Sequence, residues 1–389
     1  MSDSNRCQVY GLEEVDWGDT PASPLVALRF TSESLKYNIN KTPSDEIRSD
    51  GQIDDATPLS ASPGGGINGN LSYGEIDVYM KSALFSAGWS TPIAGAGTIN
   101  CDATQNALVS ATETMNTNVH AGQWILIGAC SETANNDYAL VTAATTTHLV
   151  LAGGLTLTTA AAEAMTFESA GMIRNGTTET SFTLERYHAD QTQYFSYTGM
   201  VVNQFTLNVN SAERIKWVLD FLGKDETLAQ ATVGTGDATA AGTNDEINAA
   251  TNIANILVGS TLADIASGVY VKSLTLTAGK NVREKDAIGY LNNVDLGSGT
   301  FNATVAASIY FYDETYYDKY VANTTTGISF RMLDSSNNGY IVTIHKAKIL
   351  SDSGPNVSGQ NSDCMEDITY QAVRHTTYDC MLQIDRFAA

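Results

Sequence analysis

The chain has 389 residues, 43% of them hydrophobic and 16% charged, a composition typical of folded globular protein and not of a disordered one. This length predicts two or three domains, each with its own core. The formal net charge of −22 argues against a surface that grips nucleic acid or an anionic membrane, because binding to phosphates requires lysine and arginine.

Targeting and metal-binding patterns are missing from the sequence. Residues 1–19 are polar and acidic, unlike a signal peptide, and no run approaches the roughly 18 apolar residues that span a bilayer. We therefore expect a soluble, non-secreted protein with no membrane insertion. The cysteines are widely spaced and form no CxxC pair, which predicts reduced thiols and no metal site: Cys7, Cys101, Cys130, Cys364 and Cys380.

The first predicted elements are a strand, a long polar segment, a second strand and a short helix. Residues 27–39 alternate in part with period two, and 66–75 read as a strand. Residues 77–84 predict one to two helical turns. The segment between the strands, 40–63, is polar and bounded by prolines, so we interpret it as a loop that forms an arm reaching a neighbour.

Residues 92–170 differ in character from the rest of the chain. Glycine, alanine and threonine dominate there, with short apolar runs at 123–127, 138–141, 148–151 and 164–167. Several short strands separated by turns predict a small all-β, barrel-like module inserted into a larger domain. We expect the rest of the chain to fold without it.

Three strands and a linker are predicted next. The strands lie at 180–187, 194–209 and 214–222, and the last places Ile215, Trp217, Leu219 and Phe221 on one face. Residues 224–248 show no period and predict a linker or surface loop.

The layout then repeats. Strands at 256–258, 269–277 and 299–311 and a helix at 314–321 follow the order of the first pass. We interpret the strand at 339–345 as the counterpart of the strand around Phe182. The strand at 364–374 is interpreted as the counterpart of the strand around Trp217. The predicted domains are 1–91 with 171–224, the insert 92–170, a linker at 225–251, and 252–389.

No group of residues predicts catalysis or cofactor binding. Gly64, Gly65 and Gly66 lack the Lys-Ser/Thr of a phosphate-binding loop, and we interpret them as a flexible turn. The carboxylates at Asp313, Glu314 and Asp318 are better explained as the N-terminal charges of a short helix than as an acid–base pair. The five histidines lie far apart, and we predict no enzyme activity and no cofactor.

Several segments in order resemble a known family. They are LRFTSESLKYN at 28–38, EIRSDGQ at 46–52, GGINGNLSY at 65–73, YFSYTGMVVN at 194–203, YQAVR at 370–374 and MLQIDR at 381–386. Together they resemble the tail tube (major tail) proteins of long-tailed, siphovirus-type bacteriophages, over most of the chain outside the insert and the linker.

The resemblance implies a mainly β fold with two repeated tail-tube-type β-sandwich or barrel domains, each with a short flanking helix. The small all-β insert departs from the family pattern, and we expect it to lie on the outer surface. The resemblance also implies a structural virion protein whose rings stack into the tail tube, the conduit for DNA ejection. Relatives with one such domain form hexamers, so two domains per chain predict a trimeric ring with pseudo-sixfold symmetry.

The same resemblance implies the partners and the location. They are further copies of the chain, a tape-measure protein, a tail tip initiator and a tail terminator, with phage DNA passing through the lumen without specific binding, in a virion tail assembled in the host cytoplasm. The polar arm is the candidate for ring-to-ring stacking, through Pro43, Asp45, Glu46, Arg48, Asp50, Asp54 and Asp55.

Two questions stay open at this level. The acidic residues could line the lumen and repel DNA over a Debye length of about 8 Å, or they could simply make the exterior soluble. The alternative function is a surface-decorating virion protein that uses the insert to bind a host surface or carbohydrate.

Overall fold

The computed structural model describes residues 3–259, 262–264, 269–357 and 359–388. The described residues are mainly β, with two short α-helices and brief 3-10 turns at Ser4–Arg6 and Thr133–Asn135. The chain begins with five strands and a helix: β1 (Cys7–Glu13), β2 (Val26–Leu28), β3 (Ser32–Glu33), β4 (Lys36–Pro43), β5 (Ala56–Asn70) and α1 (Asp77–Ala83). The mainly β fold and the first helix confirm the predictions.

The prediction of a loop over residues 40–63 was wrong for most of that segment. β4 and β5 form a long antiparallel hairpin, from Lys36 opposite Gly64 to Pro43 opposite Ala56, and only 44–55 form its irregular tip. The outer part of this hairpin is exposed on both faces, so it carries no alternation of apolar and polar residues. Without that alternation, the sequence pattern of these residues could not be distinguished from that of a loop.

The inserted segment closes into a barrel of six strands, in the order β10-β7-β6-β11-β8-β9. The strands are β6 (Ile93–Asp102), β7 (Ala107–Val109), β8 (Trp124–Gly128), β9 (Tyr138–Ala144), β10 (His148–Ala152) and β11 (Ala160–Ser169). Side chains such as Ile125, Val141 and Leu149 fill its interior. The predicted barrel-like module is confirmed.

Five strands follow the barrel: β12 (Gly171–Arg174), β13 (Ser181–His188), β14 (Gln193–Asn210), β15 (Lys216–Leu222) and β16 (Asp225–Ala229). The predicted face of β15 is buried, since Ile215, Trp217 and Leu219 have no exposed surface. β16 pairs with the first part of β14, so the start of the predicted linker is a strand. Its residues are half-buried or exposed without a period of two, so the sequence pattern did not indicate a strand there.

The remaining elements are β17 (Ile253–Val258), β18 (Ala263–Asp264), β19 (Val271–Gly279), β20 (Arg283–Lys285), β21 (Asp295–Gly297), β22 (Asn302–Tyr310), α2 (Thr315–Val321), β23 (Thr326–Leu333), β24 (Gly339–Asp352), β25 (Met365–Ala372) and β26 (Gln383–Phe387). The second helix is confirmed where predicted. β23 was not predicted.

Strand pairing in the first and second parts of the chain follows the same pattern. In the first, the pairs run β5–β15, β15–β14, β14–β13 and β13–β1. In the second they run β22–β25, β25–β24, β24–β23 and β23–β17. α1 packs on β14, and α2 packs on β24. By its pairing, β25 corresponds to β15, as expected. β24 corresponds to β14 and not to the strand around Phe182.

The barrel rests on the second part of the chain. Trp124, Tyr138 and Leu140 pack with Ile341 of β24 and Phe387 of β26. The indole Nε1 of Trp124 donates to Thr343 Oγ1 at 2.9 Å, and Arg331 pairs with Asp137 at 2.8 Å. Deleting the barrel would therefore expose apolar surface on these two strands.

Candidate functional site: a polar sheet face between two open edges

One antiparallel sheet runs across both parts of the chain. Its strand order is β3 and β4, then β5, β15, β14, β19, β22, β25 and β24. The junction between the two parts is the pairing of β14 with β19, from Gln204 opposite Gly279 to Asn210 opposite Ser273. The two parts therefore share a single continuous surface of eight strand positions.

One face of this sheet is the main hydrophobic core. Trp217, Phe205, Leu276, Val305 and Tyr370 come from five successive strands and are almost fully buried. Gly69 of β5 lies opposite Trp217, and a Cβ on this glycine would be 2.3 Å from the indole ring. The close approach of β5 to the indole thus requires glycine.

The opposite face is polar and largely uncharged. Its aligned rows contain Ser32, Asn68, Val218, Thr206, Thr277, Thr304, Gln371 and Lys348; then Asn70, Lys216, Asn208, Thr275, Ala306, Thr369 and Ser351; then Gly66, Asp220, Gln204, Gly279 and Asn302; and Asn210, Ser273, Ser308 and Asp367. Two lysines and two aspartates balance in these rows. Burial raises the pKa of Asp220.

The sheet ends in two open edges. Among the described strands, β4 pairs only with β5, and beyond Lys36 most of its residues are exposed. β24 pairs with β23 up to Ala347 and with β25 from there on. Within the described part of the chain, no strand covers the remaining edge of Lys348–Asp352, whereas the matching edge of β14 is covered by β19. Unpaired edges of this kind are templates for pairing with another chain.

The tip of the β4–β5 hairpin holds the predicted arm residues. The guanidinium of Arg48 contacts Asp50 at 3.1 Å and Asp54 at 2.8 Å, and its hydrogen bond lowers the pKa of Asp50. The backbone N–H of Ala56 donates to the carboxylate of Asp55 at 2.7 Å. Arg48 thus organises the tip through ion pairs that are open to solvent.

The other predicted arm residues are in the same hairpin but outside this ion-pair group. Pro43 is the last residue of β4, and Asp45 and Glu46 follow it on the exposed tip. Sequence reasoning missed the exposed apolar side chains beside them, Ile47 and Ile53. The presence of isoleucines in an otherwise polar segment was the sequence signal that could have indicated them.

Buried ionisable groups serve packing in this fold. Glu14 accepts hydrogen bonds from Ser181, Thr183 and the backbone N–H of Gly199, at 2.6–2.9 Å. Burial raises the pKa of Asp385 to about 7, although Gln383 and the backbone N–H of Trp124 donate to its carboxylate. These carboxylates join strands and loops to one another and do not surround a shared cleft.

Metal and membrane features can be stated for the described residues. Among them, no group of three or more His, Cys, Asp or Glu side chains is arranged to hold a metal ion. The five cysteines are free thiols. Neither of the helices in the described ranges has the length and apolar character needed to cross a membrane.

Sequence reasoning missed the open edge of β24 and the exposed face of α2. Whether a strand edge is open depends on which other strands reach it, and no local pattern records that. The sequence-based prediction matched the strand at 339–345 to the one around Phe182 instead of to β14. Without the comparison of β24 with β14, the open edge of β24 could not be recognised.

Comparison with known proteins gives one clear finding. The family model described as phage tail tube protein matches residues 4–372, nearly the whole chain. A search of curated proteins gave no match.

Proposed function

Because the chain belongs to the phage tail tube protein family, we propose that it forms rings that stack into the tube of a long-tailed, siphovirus-type phage. It is a structural protein of the phage tail. The genome would leave the capsid through the lumen of this tube. The observation that carries the proposal is the continuous sheet with one apolar face, one polar face and two open edges.

The junction inside the chain supports a model for the junction between chains. β14 of the first part receives β19 of the second part along its outer edge. The equivalent edge of β24 is open. β4 pairs with β5 as β19 pairs with β22, so β4 is the counterpart of β19 in the sheet. A second copy would bring its β4 edge to β24, and the sheet would continue from copy to copy.

Ring closure sets the stoichiometry. Two repeated units in each chain would close a pseudo-sixfold ring with three copies. Eight strand positions per copy, spaced about 4.8 Å apart and tilted by about 40°, give a barrel roughly 48 Å across between opposite backbones. That leaves an aqueous channel wide enough for a DNA duplex.

The polar face is the proposed lumen wall. Its amides and hydroxyls remain hydrated, and its two lysines and two aspartates leave no net charge in the aligned rows. Such a wall neither binds phosphates nor needs an acidic lining to repel them. The acidity of the chain is then mainly a property of the remaining surface, which favours the second of the two interpretations of its charge.

The remaining partners follow from the tube. A tape-measure protein inside it, a tail tip initiator and a tail terminator would set where stacking begins and ends, with assembly in the host cytoplasm. The hairpin arm would contact the next ring, because its tip is exposed and carries the Arg48 ion pairs and the apolar Ile47 and Ile53. The six-stranded barrel would lie outside the ring.

Electron microscopy of the purified protein tests the proposal. Two-dimensional averages should show rings or stacked rings with an open channel and threefold symmetry, and native mass spectrometry should give three chains per ring. Six chains per ring would overturn the trimer. Monomers only, after a tail tip initiator had been supplied, would count against the tube.

A further inference from the structure

α2 presents an exposed apolar surface. Tyr317, Tyr320 and Val321 are 45%, 37% and 66% exposed. Lys348 donates to the backbone carbonyl of Asn323, which fixes the end of the helix beside the outer half of β24. We call these three exposed residues the α2 patch. Contiguous apolar surface of this kind commonly marks an interaction site.

The matching helix in the first part of the chain is covered. α1 has five buried residues among its seven, whereas α2 buries only Tyr316. The carboxylate of Asp77 at the start of α1 accepts a hydrogen bond from Tyr340 and pairs with Arg386 at 2.7 Å. The guanidinium of Arg386 also lies 4.4 Å from the centre of the Trp89 ring.

The elements that cover α1 have counterparts in the first part of the chain. Tyr340 is at the start of β24, in the β23–β24 hairpin, and Arg386 is on β26, which pairs with that same stretch of β24. By pairing, the counterpart of the β23–β24 hairpin is the β13–β14 hairpin, and the counterpart of β26 is β16. These two counterparts form the surface that should cover α2.

The counterpart surface offers apolar groups for such a contact. Leu228 on β16 is 60% exposed and lies opposite Phe195 of β14. The apolar side chains of the α2 patch would therefore pack against apolar side chains of this surface.

We propose that the α2 patch binds the β13–β14 hairpin and β16 of a second copy of this chain, as the second part of the chain covers the start of α1 within one copy. The contact rests on the proposed ring, which it extends: it lies on the core side of the sheet and is separate from the pairing of strand edges. Each ring junction would then have two components, a strand pair and a covered helix.

Two variants and a photo-cross-link test this contact. Tyr320→Ser combined with Val321→Ser should raise at least tenfold the concentration at which half of the chains are in rings. Val78→Ser is the matched control, because Val78 is the exposed apolar residue of the covered helix α1. Both variants change exposed positions, and circular dichroism and thermal unfolding should show that both remain folded.

The cross-link locates the partner surface. Benzoylphenylalanine at position 320, in a mixture of isotopically light and heavy chains, should join two copies through residues 181–198 or 225–229. If rings form and the cross-links map elsewhere, or if the double variant assembles like the wild type, this contact is wrong and the tube stands. If cross-links join two copies at this hairpin but no ring forms, the contact stands and the tube does not. Monomers without cross-links would overturn both.

Discussion

α1 and α2 occupy equivalent places in the fold but have different surroundings. Each follows the strand that pairs with β15 or β25, and each packs on the long strand β14 or β24. The start of α1 is covered by the second part of its own chain, through Tyr340 and Arg386 at Asp77, and α2 is open. This difference is the one expected if each chain contains one completed junction and the two halves of another, as the proposed ring requires.

The hairpins that precede the two helices differ in the same way. The tip between β4 and β5 projects into solvent. Its counterpart between β19 and β22, which includes the β20–β21 hairpin, folds back on the first part of the chain. There the backbone N–H of Ala61 donates to the carbonyl of Leu291 at 2.8 Å, and Asn293 donates to the carbonyl of Gly223 at 2.9 Å. The β20–β21 hairpin is therefore docked on the first part of the same chain.

Breaking the cover of α1 should have the largest effect on a single chain. Arg386→Ala leaves the carboxylate of Asp77 with the hydroxyl of Tyr340 but without its cation, in a site where both partners are largely buried. Loss of one partner of such a pair destabilises by about 3 kcal/mol. Urea unfolding should measure this decrease in the free energy of unfolding.

The control for that variant is Arg374→Ala. Arg374 pairs with Asp379 through side chains that are mostly exposed, so its loss should leave the unfolding free energy close to the wild-type value. Equal effects of the two variants would mean that the cover of α1 contributes nothing specific to stability.

Sequence alone predicted the elements whose neighbours lie close by in the chain. The alternation at Ile215, Trp217, Leu219 and Phe221 gave β15 and its buried face because burial there repeats every second residue. The barrel followed from short apolar runs between turns. Both helices were found because each has a compact run of helix-compatible residues after a strand.

Features that depend on distant partners could not be predicted in this way. The cover of Asp77 comes from Tyr340 and Arg386, more than 260 positions away along the chain. β4, the first part of β5 and β16 were missed for a different reason: their residues are exposed or half-buried on both faces and carry no apolar period there. The candidate site, a sheet face with two open edges, is likewise a property of pairing and not of any one segment.

The acidic groups near the two helices predict a pH-dependent difference. Asp77 at α1 is neutralised by Arg386, but Glu366 near α2 faces Asp352 and has no hydrogen-bond donor among the described residues. Burial, and next the charge of Asp352, raise the pKa of Glu366 from 4.5 to about 7. Between these values the folded chain keeps a proton that the unfolded chain has released, so stability falls as the pH rises from about 4.5 to about 7.

Glu366→Gln should remove this pH dependence. The variant should unfold at the wild-type temperature at pH 4 and about 2–4 °C above it at pH 8, because the amide carries no charge. Differential scanning calorimetry at the two pH values measures the difference. Asp367→Asn, one residue away and exposed, is the control and should match the wild type at both. A gain that is equal at pH 4 and pH 8 would assign the effect to packing.

The smallest effect on the single chain is expected at the tip of the projecting hairpin. Arg48→Ala removes ion pairs to Asp50 and Asp54 that are open to solvent, so the unfolding free energy should change by less than about 0.5 kcal/mol. If this tip joins successive rings, tubes of the variant should be shorter, and they should fall apart at lower salt than wild-type tubes. Lys285→Ala removes the exposed ion pair to Asp295 in the docked β20–β21 hairpin and should leave tubes unchanged. Negative-stain micrographs over a salt series measure both. Arg48→Ala tubes of wild-type length and salt resistance would show that the difference between the two hairpins has no role in stacking.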